Sequence, residues 1–112
     1  MITIVELPEF LKQSKKIFSE SLRESLVNYL AAHPKAGVLM EGTCGIRKFR
    51  WKRDGTGKSG GARVIYYYYN DNYPLFIITA FKKGNKSNLS KEERNELAKL
   101  VDILIETYGG KV

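Results

Sequence analysis

The chain reads as an α+β domain in the order β-α-α-β-β-β-α, with helices packed on an antiparallel sheet. Three observations predict it. Apolar residues recur at helical spacing through residues 8–33 and again after Ser90. Between Ile46 and Lys82 the period drops to two, as in strands. Turn-forming residues separate the strand-like runs, so neighbouring strands are joined as hairpins.

Taken in order, Ile2 to Glu6 is a short first strand. Pro8 suits the first turn of a helix, where its missing N–H costs nothing, and Phe10, Leu11, Ser14, Ile17 and Phe18 fall on one side of that helix. A second helix starts near Ser19 or Ser21; Ser21 and Glu24 have capping-box spacing. Leu22, Leu26, Tyr29 and Leu30 form its buried stripe, and His33-Pro34 stops it. A loop through Gly37, Gly42 and Gly45 follows. Ile46 to Lys52 alternates, with Phe49 and Trp51 on one face and Lys48 and Arg50 on the other, which marks a half-buried strand with a cationic face. Asp54 to Gly61 is a loop, Arg63 to Tyr69 a second strand of this group, and Asn70-Asp71-Asn72-Tyr73 a turn. Pro74 to Lys82 is apolar on both faces, as a central strand is. Ser90 and Glu93 form a capping box that opens a last helix carrying Leu97, Leu100, Val101 and Leu104, closed near Gly109.

Length and composition bound the remainder. At 112 residues, 43% hydrophobic and 28% charged, the chain is expected to form one domain over residues 1–112, with a core of its own. Cys44 is the single cysteine, so an internal disulfide is excluded and a reducing, cytoplasmic setting is expected. The N-terminal residues lack the basic start and apolar run of a signal peptide, and no stretch approaches a membrane span. No metal or cofactor is expected: there is no His/Cys cluster, and no carboxylates gather on the cationic strands. His33 reads as structural or exposed, and the Gly57–Gly61 stretch lacks P-loop spacing.

The charge distribution carries the functional signal. The net charge is +7, and between Cys44 and Arg63 seven cations, Arg47, Lys48, Arg50, Lys52, Arg53, Lys58 and Arg63, face Asp54 alone. A positive field concentrated on a Gly-rich hairpin suits a polyphosphate partner, above all nucleic acid. The competing reading of Lys48, Arg50, Lys52 and Arg53 is the solvated face of a strand. Tyr67 falls on the Arg63 face, where it can stack on a base or simply pack.

Two segments carry a family resemblance. Gly42-Thr43-Cys44-Gly45-Ile46-Arg47-Lys48-Phe49-Arg50 is similar to a "GTGGxRKxR" segment, and Gly57-Lys58-Ser59-Gly60-Gly61-Ala62-Arg63-Val64-Ile65-Tyr66-Tyr67 to a "GKxGGxRVIYY" segment, of HigB-like toxins in the RelE/ParE superfamily. Leu7-Pro8-Glu9-Phe10, the stop from Ala32 to Gly37 and the stretch from Phe81 to Ser90 also fit, in the right order along nearly the whole chain. The resemblance implies the toxin of a type II toxin–antitoxin pair: a small, metal-independent endoribonuclease that cuts mRNA on the translating ribosome. It also implies a cognate antitoxin that blocks the toxin and supplies the part that binds operator DNA.

That chemistry uses the ribose 2′-OH as nucleophile and needs cations on the phosphorane. Arg63 matches the family's strand arginine and has the fork that clamps a phosphate. Lys48 and Arg50 share its cleft, and Lys83 matches the lysine of a Tyr-x-Lys motif; these four are the expected catalytic cations. Arg47, Lys52, Arg53, Lys58, Tyr67, Lys82 and Lys86 are the expected contacts to RNA or ribosome. Clustered cations lower a lysine's basicity and can make it a base, though the sequence does not single one out. One departure stands out: where the family reads Tyr-x-Lys-Asn-Glu, this chain reads Phe81-Lys82-Lys83-Gly84-Asn85, without the phenol or the acid. Two other readings therefore stay open, a ParE-type DNA gyrase inhibitor on the same scaffold and a catalytically degenerate module that binds nucleic acid.

Overall fold

The structure, a computed structural model, describes residues 2–43, 45–52, 61–82 and 89–109. Its elements are β1 (Ile4–Glu6), α1 (Pro8–Ile17), α2 (Glu20–Ala32), β2 (Val38–Leu39), β3 (Ile46–Trp51), β4 (Ala62–Tyr67), β5 (Leu75–Lys82) and α3 (Lys91–Leu104), followed by a π-helical turn over Ile105–Gly109. The sheet order is β1-β5-β4-β3-β2.

The α+β class and the antiparallel β3-β4-β5 meander agree with the sequence reading. Two features of the sheet go beyond it. β1 lies parallel to β5, with Ile4 beside Leu75 and Glu6 beside Ile77, which makes the sheet mixed. This pairing joins the first and last strands in chain order, so no local pattern announces it. Val38–Leu39, in a stretch read as loop, forms a two-residue strand antiparallel to β3. Its length hides it, because two residues show no periodicity.

The helices start where their caps place them. Pro8 opens α1 with no side-chain cap, and Lys15 and Lys16 sit in its last turn, where cations suit the helix dipole. Ser19, not Ser21, caps α2: its hydroxyl accepts the Leu22 N–H at 3.2 Å. Ser90 and Glu93 form the expected reciprocal capping box on α3.

The sheet is buried on both faces. On one side, Phe10, Ile17, Phe18, Leu26 and Leu30 of α1, α2 and their junction pack on Val64, Tyr66, Leu75 and Ile77. On the other, Leu89, Val101 and Leu104 pack on Ile46, Ile65, Tyr67, Phe76 and Ile78. A bulge between β4 and β5 lets one apolar strand serve both cores: Ile65 pairs with Thr79 and Tyr66 with Ile77, so Ile78 is the extra residue.

Tyr66 ties the first core to the loop after α2. Its hydroxyl accepts the Gly37 N–H at 2.8 Å and donates to the Pro34 carbonyl at 2.7 Å. Burial raises the phenol's pKa, with the Gly37 hydrogen bond and Arg47 opposing. Replacing Tyr66 by Phe strands a buried N–H and a carbonyl, and is expected to cost about 1–3 kcal/mol in urea unfolding. Because the folded-state pKa lies above the unfolded value of about 10, the phenol's contribution is complete below that pH and is lost as pH rises through it. The wild-type protein should therefore lose stability on the alkaline side more steeply than Tyr66→Phe.

Candidate nucleic-acid interface

The register of β3 and β4 assembles the site. Arg50 lies directly across from Arg63, Lys48 across from Ile65, and Ile46 across from Tyr67. Strand alternation therefore puts Lys48, Arg50 and Arg63 on one face, the face that α3 covers at its other end. Phe81 of β5 completes the row beside Arg63, in the place of the missing phenol.

Arg63 is 7% exposed, on a strand whose six residues are all buried. Among the described residues its guanidinium makes one long hydrogen bond, 3.5 Å to the Ala62 carbonyl. Burial lowers its pKa, and the charge of Arg50 lowers it further. An arginine stays protonated under these conditions, so the result is a charge held at an energetic disadvantage. Like charges directly opposite one another in a sheet add to that disadvantage.

Around these cations lies a groove of about 710 Å³, lined by Tyr29, Ala36, Val38, Lys48, Phe49, Arg50, Trp51 and Arg63. It wraps the edge of β3: among the described residues β2 pairs with Arg47 and Lys48, the Met40 N–H donates to the Ile46 carbonyl at 2.9 Å, and no strand pairs with Phe49, Arg50 or Trp51 on that side. Tyr29, Phe49 and Trp51 form an aromatic wall: Tyr29 stacks on Phe49 with centroids 5.6 Å apart and planes 15° apart, and Trp51 lies 5.6 Å from Tyr29. The Trp51 indole N–H donates to the Leu22 carbonyl at 3.2 Å and ties this wall to α2. Cations on one side and ring faces on the other are the parts of a single-strand nucleic-acid groove. Among the described residues no group of three His, Cys, Asp or Glu side chains is placed to hold a metal ion.

Other expected contacts sit elsewhere. Arg47 faces the opposite side of the sheet, where it donates to the Gly37 carbonyl at 2.7 Å and the Lys35 carbonyl at 3.3 Å. It braces the loop after α2. Tyr67 does share the Arg63 face, but it is 2% exposed and belongs to the second core, so packing takes the ring that stacking would need. Lys82 pairs with Ala62 and falls on the face away from Arg63. Lys52 is exposed just beyond β3. Arg53, Lys58, Lys83 and Lys86, with Cys44 and the Gly84-Asn85 departure, lie outside the described residues.

Two lining residues were not singled out in the sequence. Tyr29 belongs to the apolar stripe of α2 yet is 40% exposed, turned toward Phe49. Arg94 of α3 lines a recess with Val38, Leu39, Met40 and Lys48. A signal for Arg94 existed: it falls on the same stripe as Leu97, Val101 and Leu104, a position where a cation is out of place unless it serves something.

Fold and groove together define a small basic α+β domain with an anion-seeking cleft. The model of the RelE toxin of the RelE/RelB toxin–antitoxin system matches residues 11–111, and the chain belongs to that family. Among solved structures, a double arginine-to-alanine mutant of Escherichia coli toxin RelE in the free state superimposes with a TM-score of 0.59 at 20% identity. The match covers 89% of this chain and 97% of that one, and establishes a shared fold. The protein is thus the toxin of a toxin–antitoxin pair, with an antitoxin as its partner. Toxins of this family include mRNA-cleaving endoribonucleases.

Two substitutions test the geometry. Arg50→Gln removes the charge facing Arg63 and is expected to stabilise the fold by about 0.2–1 kcal/mol, an advantage that shrinks with added salt in urea unfolding. Gly61→Ala should do the reverse. A Cβ there would lie 2.3 Å from the Trp51 carbonyl oxygen, in the backbone of the hairpin that sets Arg50 against Arg63. A loss of about 1–3 kcal/mol is expected, read from the same unfolding curves.

Proposed function

We propose that this protein is a metal-independent endoribonuclease that cuts mRNA on the translating ribosome, acts in the cytoplasm, and uses Arg63, Lys48 and Arg50 as its cationic machinery. The observation that carries this reading is the buried Arg63 set opposite Arg50, a charge arrangement that an incoming phosphate relieves. In the reaction the ribose 2′-oxygen attacks the adjacent phosphorus, its proton is taken up by a base, and the 5′-oxygen leaves with a proton. The products are a 2′,3′-cyclic phosphate and a 5′-hydroxyl end. The phosphorane on the way carries extra negative charge, and fixed cations in a partly dehydrated groove stabilise it without reorganising. Arg63 supplies the planar fork to its equatorial oxygens, Arg50 and Lys48 neutralise charge along the same face, and Lys83 is assigned to the same machinery from its motif.

Arg53, Lys58, Lys52 and Lys86 are assigned to phosphates of substrate or ribosome. With Phe81 in place of the phenol and no acid in the Gly84-Asn85 stretch, rate enhancement here rests on charge stabilisation more than on paired acid–base groups. The antitoxin is assigned a second task, carrying the toxin–antitoxin complex to operator DNA. The HigB-like segments favour assigning the chain to that branch of the family.

Arg63→Gln is expected to lower cleavage at least about a hundredfold, the cost of losing one oxyanion-type donor, while circular dichroism and antitoxin binding stay as in the wild type. In a bacterial host, induction should create new mRNA 5′ ends confined to translated regions, suppressed by the antitoxin and absent for Arg63→Gln. Growth arrest with intact mRNA would instead assign a gyrase-type target, and no arrest would assign a module that binds without cutting.

A further inference from the structure

The recess beside Arg94 is separate from the groove around Arg63 but adjoins it. It holds about 140 Å³ between α3 and the β2-β3 pair, and Val38 and Lys48 line both spaces. The Arg94 Nε is buried and has no hydrogen-bond partner. A guanidinium N–H buried without an acceptor is costly, and native structures seldom keep one without a reason. Its surroundings compound the cost: among the described residues the recess is lined by three apolar side chains and a second cation, Lys48. The acid of the preceding residue is engaged in the capping box, where Glu93 accepts the Ser90 N–H at 2.9 Å. The α3 stripe would bury an apolar side chain at this position much as it buries Val101 and Leu104, so the charge is not there for packing.

We propose that Arg94, together with Lys48, forms a second phosphate subsite that holds a backbone phosphate next to the one at Arg50 and Arg63. Arg94 acts here as a binding and positioning residue. The inference rests on the reading of the groove as an RNA site, and it extends the RNA path across the face of β3 from Arg63 toward β2. Lys48 sits at the junction, two residues from Arg50 on the same strand face and roughly 7 Å along it. The strand thus bridges the two subsites, and a single-stranded RNA laid along it meets Arg63 and Arg50 first, then Lys48, then Arg94.

The test is binding of a 2′-deoxy, uncleavable single-stranded oligonucleotide, measured by fluorescence anisotropy between 50 and 200 mM salt, with thermal midpoints to confirm folding. Each phosphate contact to a single strand contributes about 0.7 to the slope of log affinity against log salt. Arg94→Gln should therefore flatten the slope by about 0.7, so that the wild-type advantage shrinks about 2.6-fold across that salt range. Arg94→Lys, which keeps the charge, should retain most of the slope. Cleavage by Arg94→Gln should show a raised KM with kcat little changed, unlike the kcat loss of Arg63→Gln. If Arg94→Gln binds with wild-type affinity and slope, the subsite is refuted while the function proposed above stands. If the wild-type protein binds no oligonucleotide, the subsite is refuted, while the ribosome-dependent reading is decided by the mRNA 5′ ends. A slope that depends on Arg94 in a protein that cuts no mRNA would uphold the subsite and refute the nuclease reading.

Discussion

Arg63 lies on β4, whose other five residues are buried apolar or aromatic side chains, and its charge faces Arg50 across the strand pair, with no acid beside it among the described residues. Much of the architecture can be understood as what makes this tolerable. A guanidinium in so little water is held at a cost, and a neighbouring cation raises that cost. Two hydrophobic cores, one on each face, anchor β4 firmly enough that the local penalty does not unfold it. The Tyr66 hydroxyl, bonded to both Gly37 and Pro34, fastens the far end of the same strand to the loop after α2. The strand is thus held firmly where, in the proposed function, a phosphate is received, and preorganised charge is what a phosphorane requires.

The sequence conveys those parts of this arrangement that have a local cause. Alternation over Ile46–Trp51 reveals the cationic face because neighbouring side chains of a strand point apart, and nothing else is needed to place Lys48 and Arg50 together. The Ser90–Glu93 box is equally local. The charge run around residues 44–63 is legible by counting.

What stays hidden depends on the partner of each side chain. Arg47 and Lys48 are adjacent, equally cationic residues, yet Arg47 turns to two backbone carbonyls that exist only once α2 has folded back over the sheet. Tyr67 belongs on the Arg63 face by parity, but parity says nothing about depth, and the apolar residues of α3 close over that end of the strand. Lys82 has the opposite parity to Arg63 once the β4-β5 register is known, and a bulge sets that register. The parallel pairing of β1 with β5 needs segments some seventy residues apart to meet, as Ile4 and Leu75 do. In each case the missing information is a tertiary contact, and family motifs do not replace it.

The uncovered edge of β3 gives the same cations a second consequence. Among the described residues β2 pairs with Arg47 and Lys48 and no strand pairs with Phe49 to Trp51 on that side, which leaves an open stretch of edge. Exposed strand edges invite pairing with other chains, and natural sheets guard them with short strands and with charge. Here the guard is Arg50 on the strand and Lys52 just beyond it, whose repulsion opposes the approach of a second copy of this basic edge. An RNA strand or an acidic polypeptide meets no such barrier. Closing the edge with a longer β2 would satisfy the backbone but would cover the groove between the aromatic wall and the cations. The short strand, the exposed edge and the surplus of positive charge are therefore a single compromise: the sheet is left unfinished where Arg63 has to be reached.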